Sequence, residues 1–439
     1  MIQEDALMNH PKSSMLSVLL SLLLLGACCS PVPAESGPKY REVPETDTDL
    51  PGAGPIRRYE WFRNLWRTKR QEFAQRADQD RGAVVFFGDS ITQGWGLEFH
   101  NEFPRLKAAN RGISGDTTRG MLLRLADDVL ALEPAAVVLL MGTNDLEEGA
   151  EPEVIAGNLR AIVAGIKQAQ PQTPIILCQV FPSSAEKRRP AEKIKQINKL
   201  YVEAVQGDPQ VIVLDTWLLF ANEAGDARLA EFPDLLHPNR IGYAQWAAAL
   251  RPIFATLGLL EREPDDFVVE EGFVSLFNGR DLTGWGFRDR DLQPLESFDG
   301  QVRSADGRYL ALNGRLIVTT PPEGRRIQQL WTTQEFPGDF LLKLEFRATP
   351  NADSGVFIRK PQLQCRDYRL AGPYKQLEHY KPQDWNELTI TVKGNVAECR
   401  CNGELLEAEF KLPETGPIGL EGDRGQMEYR RIRIRALTE

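Results

Sequence analysis

Ser90 lies in the run FFGDSITQGW, Phe86 to Trp95, directly after the apolar stretch AVVFF. A serine at the junction of a buried strand and the next helix presents its hydroxyl at a sheet edge, where the helix N-terminus favours developing negative charge. On its own, Gly-Asp-Ser is also a common turn and N-cap sequence. Three further runs could complete a site around it. In AANRGISGDT, Ala108 to Thr117, the glycines let backbone N–H groups approach a ligand closely. MGTNDL, Met141 to Leu146, again follows an apolar stretch, and the amide of Asn144 can donate toward an oxyanion. FPDLLHPNRIGY, Phe232 to Tyr243, places Asp234 three positions before His237, close enough for the carboxylate to orient the imidazole and stabilise its charged form. The chain has four histidines. His10 lies in the N-terminal segment and His379 in the C-terminal half, and His100, in a polar stretch with no adjacent strand, reads as a surface residue. That leaves His237 as the histidine expected to act as a base at this sheet. Such chemistry calls for no metal or organic cofactor, and no Cys/His cluster with zinc spacing occurs in this half of the chain.

These residues need a scaffold that brings four distant runs to one edge. The runs AVVFF, AAVVLLM, PIILCQV and VIVLD suit strands buried on both faces of a parallel sheet. Helical patterns cover 59–75, 120–132, 152–168, 191–205 and 240–257. In the first of these, Trp61, Leu65, Trp66 and Phe73 recur at helical spacing and are expected to pack on the domain that follows. Alternating β and α implies an α/β fold, an open doubly wound sheet whose ligands bind at the carboxyl ends of the strands. This domain is assigned to 58–260. Residues 35–57, rich in Pro, Glu, Asp and Gly, read as a disordered tether, and 261–272 as an acidic linker. Beyond it, 273–439 shows strand-like alternation, with Leu342, Leu344 and Phe346 or Leu388, Ile390 and Val392, and the hairpin signal Asn402-Gly403. An all-β sandwich follows.

With 439 residues, two domains plus flanking segments fit a prior of one domain per roughly 150 residues. The net charge of -10 argues against a nucleic-acid partner. The basic runs Lys187-Arg188-Arg189 and Arg430-Arg431 read as solvated faces. Residues 1–34 resemble an export signal: Lys12 precedes the apolar run Met15 to Gly26, too short for the ~20 residues that span a bilayer. Leu25-Gly26-Ala27-Cys28 resembles a lipobox, and Val32-Pro33-Ala34 offers a competing cleavage site. An exported chain is expected, in the cell envelope (periplasmic or lipid-anchored) or secreted, with membrane contact only through a lipid on Cys28. Of the six cysteines, Cys178 reads as a buried thiol. Cys399 and Cys401 share a strand face, and one of them could pair with Cys365.

In their order, GDSITQG, NRGISGD, GTND and DLLHP resemble the SGNH (GDSL-type) esterases and lipases over roughly Gly82 to Leu257. That resemblance implies a flavodoxin-like sheet, with Ser90 as nucleophile and Asp234 and His237 completing the triad. The oxyanion hole would be formed by Gly115, Asn144 and the Ser90 backbone N–H. The second domain is similar to the concanavalin-like 3-keto-disaccharide hydrolase domains, through GFVSLFNGRDLTGW (Gly272 to Trp285), NADSGVFIR (Asn351 to Arg359), DWNELTITVKGN (Asp384 to Asn395) and GPIGLEGDRGQMEYRRIRI (Gly416 to Ile434). Longer members carry a segment resembling YEVQILD after the SGVF-like motif, where this chain has LQCRDYRLAGPYKQLE. Asp353, Glu421, Asp423 and His379 are its candidate site residues, against a reading as turn formers and a surface histidine. Either a glycan-cleaving enzyme or a non-catalytic module is compatible. In the latter, Trp285, Tyr374 and Trp385 would stack on sugars or else lie in the core. The expected substrate is carbohydrate or an acylated small molecule, with removal of acetyl or short acyl groups from glycan favoured over lipase, lysophospholipase or thioesterase activity.

Overall fold

Strands whose side chains are apolar on both faces must be covered by helices on both sides, and the chain meets that requirement in the computed structural model. The structure describes residues 41–96, 99–261, 265–319 and 328–437; the signal segment expected over 1–34, with Cys28, lies outside them. The first domain runs α1 (Glu60–Asp80), β1 (Val84–Gly88), α2 (Ser90–Gly94), α3 (Phe99–Glu102), β2 (Ala108–Gly112), α4 (Thr118–Asp128) and β3 (Ala136–Leu140). It continues with α5 (Thr143–Glu147), α6 (Pro152–Ala169), β4 (Ile175–Cys178), α7 (Ala191–Ala204), β5 (Val211–Leu214), α8 (Thr216–Phe220) and α9 (Arg240–Thr256). The parallel strands take the order β2-β1-β3-β4-β5, so the sheet is doubly wound with its switch point between β1 and β3. Val85 and Phe87 pack toward α4, α6 and α7, whereas Val84 and Phe86 face α2 and α9.

The edge strand β2 has no apolar run, which is why the pattern of buried strands does not reveal it. Its Arg111 is buried and bonds Asp80 at the end of α1 at 2.8 Å. Ionic partners replace a hydrophobic face here.

Residues 41–57 are not the disordered tether expected from composition. Val43 and Ile56 are buried against Phe62, Trp66 and Ile113. The extended strap satisfies its backbone on side chains of the domain: Asn158 brackets Ala53 N–H and C=O at 3.0 and 2.8 Å, Arg119 reaches Gly54 O at 3.0 Å, and Thr117 donates to Pro55 O at 2.7 Å. A chain that pairs with side chains needs no periodicity of its own.

The second domain comprises β6 (Val274–Ser275), β7 (Trp285–Arg288), β8 (Pro294–Ser297), β9 (Tyr309–Leu312), β10 (Arg315–Val318), β11 (Leu330–Thr332) and β12 (Phe340–Ala348). After these come β13 (Asp353–Ile358), β14 (Gln362–Arg366), β15 (Asn386–Lys393), β16 (Val396–Cys401), β17 (Glu404–Lys411), β18 (Ile418–Arg424) and β19 (Met427–Ala436). One sheet has the order β17-β16-β15-β12-β19-β10-β9, with β6 on β19, and the other β14-β13-β18-β11-β7-β8. Their inner faces share one apolar core. The disulfide considered for Cys365 is not formed. Cys365 points inward from one sheet, Cys399 and Cys401 from the other, and all three are buried free thiols.

The described part of the linker is tied down, with Asp265 on Arg431 at 2.9 Å and Glu270 on Arg433 at 2.6 Å. The two domains also bond directly. Asn351 donates to Asp215 Oδ2 at 2.8 Å, and Gln426 donates to Thr256 Oγ1 at 2.8 Å near the end of α9.

One buried guanidinium joins the strand ends of the first domain. Arg124 on α4 donates to Asp116 Oδ2 (2.7 Å), Arg111 O (2.8 Å), Gly88 O (2.9 Å) and Asp128 Oδ2 (3.2 Å). Removing it strands two buried carboxylates and two carbonyls, so Arg124→Met should cost about 3–5 kcal/mol of unfolding free energy in urea titration. A loss below about 1 kcal/mol would mean that water or a rearranged Arg70 replaces it.

Candidate active site

Ser90 is the first residue of α2, immediately beyond the end of β1. Asp89 caps that helix, accepting from Ile91 N–H at 2.9 Å, which fixes the sharp turn and leaves Ser90 half-exposed at the sheet edge. His237 comes from the loop before α9. Its Nε2 lies 3.0 Å from Ser90 Oγ, and its Nδ1 lies 2.7 Å from Asp234 Oδ2. Asp234 Oδ1 also accepts from the backbone N–H groups of His237 (2.7 Å) and Leu236 (3.0 Å), so the short spacing builds a closed turn around the carboxylate. Partial burial pushes the Asp234 carboxyl up, but these backbone bonds and the imidazole outweigh it and hold it below the usual carboxylate value. His100, by contrast, is exposed on α3.

Gly115 lies in the loop after β2 and Asn144 in the first turn of α5, shortly after β3, both at the same edge as Ser90. Gly115 has φ +85°, and a Cβ there would come within 2.6 Å of the Trp61 ring and 3.0 Å of Arg57 Nη1. Only glycine fits both the conformation and the space. Asn144 donates one amide hydrogen to Asp116 O (2.9 Å), and its Oδ1 accepts from Arg189 Nη2 (3.1 Å). Its amide orientation is thus set from both ends.

Arg189 corrects the expectation of a solvated basic run. It is buried, holds Thr143 O at 3.0 Å as well as Asn144, and pairs with Glu147 at 2.8 Å. Glu147 also pairs with Arg57 of the strap, which in turn bonds Glu148 at 2.7 Å. Nothing in the triplet Lys187-Arg188-Arg189 marks its third member as internal, because its partners come from a distant strand end. The Arg430-Arg431 pair is likewise engaged, both residues bonding Glu345.

The second-domain candidates are only partly brought together. Asp353 and Glu421 lie on paired strands β13 and β18 and face outward from one sheet. Asp353 pairs with Arg366 at 2.5 Å and also with Arg424, while Glu421 accepts from Gln329 (3.0 Å) and Gln362 (2.5 Å). Asp423 is on β18 as well and is exposed. His379 is apart from them, exposed and beside Glu404 of the other sheet. Of the aromatics considered for sugar stacking, Trp285 is fully buried with its N–H on Leu276 O. Tyr374 is buried and bonds Glu407, and the half-buried Trp385 ring packs against the guanidinium groups of Arg347 and Arg430. Trp285 and Tyr374 thus belong to the core.

Comparison with known proteins agrees with this division. Residues 86–245 match the GDSL-like lipase/acylhydrolase family, and residues 272–435 match the 3-keto-alpha-glucoside-1,2-lyase-like domain. The chain is 31% identical to platelet-activating factor acetylhydrolase IB subunit alpha1 of Homo sapiens over 195 residues, 44% of this chain and 84% of that protein. It is 32% identical to the alpha2 subunit of Bos taurus over 204 residues, 46% of this chain and 87% of that protein. Among solved structures, a GDSL-like lipase from Bacteroides thetaiotaomicron matches with a TM-score of 0.37 and 24% identity, covering 42% of this chain and 97% of that one.

Two buried carboxyls behind the site give a pH signature. Burial pushes Asp89 up to about 6 against the pull of Ile91 N–H and His237, and pushes Asp145 up to about 6 against its bonds from Thr118. Their ordinary value is 3.8, so between these limits the folded chain keeps protons that the unfolded chain releases. Their contribution to stability is therefore present at low pH and is lost as pH rises through about 6. Asp89→Asn retains an oxygen for the helix cap but cannot ionise. Its melting temperature should fall less than that of the unaltered chain between about pH 4 and about pH 6.5. Equal slopes in calorimetry would show that Asp89 contributes no such linkage.

Proposed function

The chain belongs to the GDSL-like lipase/acylhydrolase family and is an ester hydrolase, and from that premise we propose that it removes acetyl or other short acyl groups from carbohydrate. The observation that carries the catalytic reading is the relay from Asp234 through His237 to Ser90, at 2.7 and 3.0 Å. In this reading His237 Nε2 accepts the Ser90 proton as Oγ attacks the ester carbonyl, and Asp234 stabilises the resulting imidazolium. The tetrahedral oxyanion is met by the N–H groups of Ser90 and Gly115 and by the second amide hydrogen of Asn144, each such donor being worth about 10²–10³ in rate. His237 then protonates the leaving alcohol, and water repeats the sequence on the acyl-serine.

Two observations favour a short acyl group on sugar. The relatives are named as acetylhydrolases, and the esterase is fused to a domain like the 3-keto-alpha-glucoside-1,2-lyases. In this proposal the second domain binds or cleaves glycan while the first deacylates it. Substrate preference is tested with p-nitrophenyl esters of increasing chain length and with acetate release from acetylated polysaccharide. Ser90→Ala should lose at least about 10³-fold in turnover on the preferred ester while keeping the melting temperature. Near-normal turnover would remove Ser90 from the mechanism, and rates that climb with acyl length would favour a lipase.

We also propose export, on the apolar run before Cys28 and Ala34. Intact mass of the mature protein decides the form: a diacylated N-terminal Cys28 means a lipoprotein, Glu35 a secreted chain, and an unprocessed Met1 rejects export by this signal.

A further inference from the structure

The surface beside the oxyanion glycine carries two aromatic rings in a place where a buried helix face was expected. Trp61 begins the series Trp61, Leu65, Trp66 and Phe73 of α1, yet Trp66 and Phe73 turn into the core with Leu65 packed against it, and Phe62 rather than Trp61 joins them. Trp61 remains 51% exposed and Tyr59, just before the helix, 54%. Their rings are nearly parallel, 9° apart in plane with centroids 6.4 Å apart. Phe62 meets Trp61 edge-on at 5.7 Å and fixes it from beneath.

This pair is not a stray patch, because the Trp61 ring closes the space next to Gly115, where a Cβ would meet it at 2.6 Å. The Trp61 ring therefore lies directly against Gly115, the glycine assigned to the oxyanion hole. Their rim is ionic: Arg57 lies 6.0 Å from the Trp61 centroid and bonds Glu148, which also accepts from Tyr59 Oη at 3.4 Å. An acyl chain of a lipid is best held by an enclosed apolar wall. A pyranose has the opposite needs, an apolar C–H face for an open aromatic surface and a hydroxyl edge for charged hydrogen-bonding groups.

We propose that Trp61 and Tyr59 form a subsite for the sugar ring that bears or adjoins the ester, with Glu148 and the Tyr59 hydroxyl binding its hydroxyl edge. The proposal rests on the carbohydrate-ester reading above. It places glycan recognition in the esterase domain itself, on the N-terminal strap and first turn of α1, rather than on the aromatics of the second domain.

The test compares kcat and KM of the full chain and of Trp61→Ala, Trp61→Phe and Tyr59→Ala on two substrates, acetylated xylo-oligosaccharides and p-nitrophenyl acetate. Trp61→Ala should lower kcat/KM for the oligosaccharide about tenfold more than for the small ester, mainly through KM, and Trp61→Phe should restore most of that difference. Tyr59→Ala should act in the same direction. Parallel losses on both substrates would reduce Trp61 to a prop for Gly115 and overturn the subsite. An unchanged KM for the oligosaccharide would overturn it as well. If the unaltered chain hydrolyses p-nitrophenyl acetate but releases no acetate from acetylated xylo- or cello-oligosaccharides, the carbohydrate reading itself fails, and the subsite falls with it.

Discussion

The catalytic edge depends on a charge that is not exposed to water. Arg124 has no accessible surface, yet its donors reach the carbonyl that ends β1, the carbonyl near the end of β2, and Asp116 in the loop that carries Gly115. A buried guanidinium is tolerated only where its hydrogen bonds are met, and here they are met by the groups that must hold still. The carbonyl of Gly88 precedes Asp89 and Ser90 directly. Fixing it fixes the turn from which the serine projects. Asp116, in turn, accepts from Arg124 with its side chain and from Asn144 with its backbone, so the same interaction extends to the third strand end.

Around this centre the structure adds a second ionic tier from outside the sheet. Arg189, from the loop after β4, and Arg57, from the N-terminal strap, share Glu147 at the end of α5. Arg189 sets the amide of Asn144, and Arg57 approaches Gly115. The strap is therefore part of the site's support. Each arginine reaches a carboxylate partner far away in sequence, and Arg189 holds the Asn144 amide in one orientation before any substrate arrives.

The two domains are likewise less separate than a linker implies. α9 begins just after His237 and ends at the bonds to Gln426 and Glu428 of the sandwich. One helix thus connects the histidine loop to the domain seam, and Leu370 of the sandwich packs against the esterase core. Linker length and composition carry no information on this contact, because its partners are single polar residues on β18–β19 and on loops.

Much of the site was legible because it is local. Asp234 and His237 are three positions apart, so the bond between them follows from one turn, and Ser90 and Asn144 sit directly after apolar strands whose character is written in consecutive residues. Parallel topology then places those strand ends at one edge, while the order β2-β1-β3-β4-β5, with its ionic edge strand, is decided only in the folded sheet. What the sequence did not reveal is carried by interactions between distant residues: Arg189 inside rather than on a solvated face, the packed strap over 41–57, the ionic edge strand β2, and Trp61 turned outward while Phe62 turns in. Composition and periodicity report how a segment relates to itself. A buried arginine, a strap without a period or an exposed ring beside Gly115 is decided by what lies across from it, and that is set only when the chain has closed on itself.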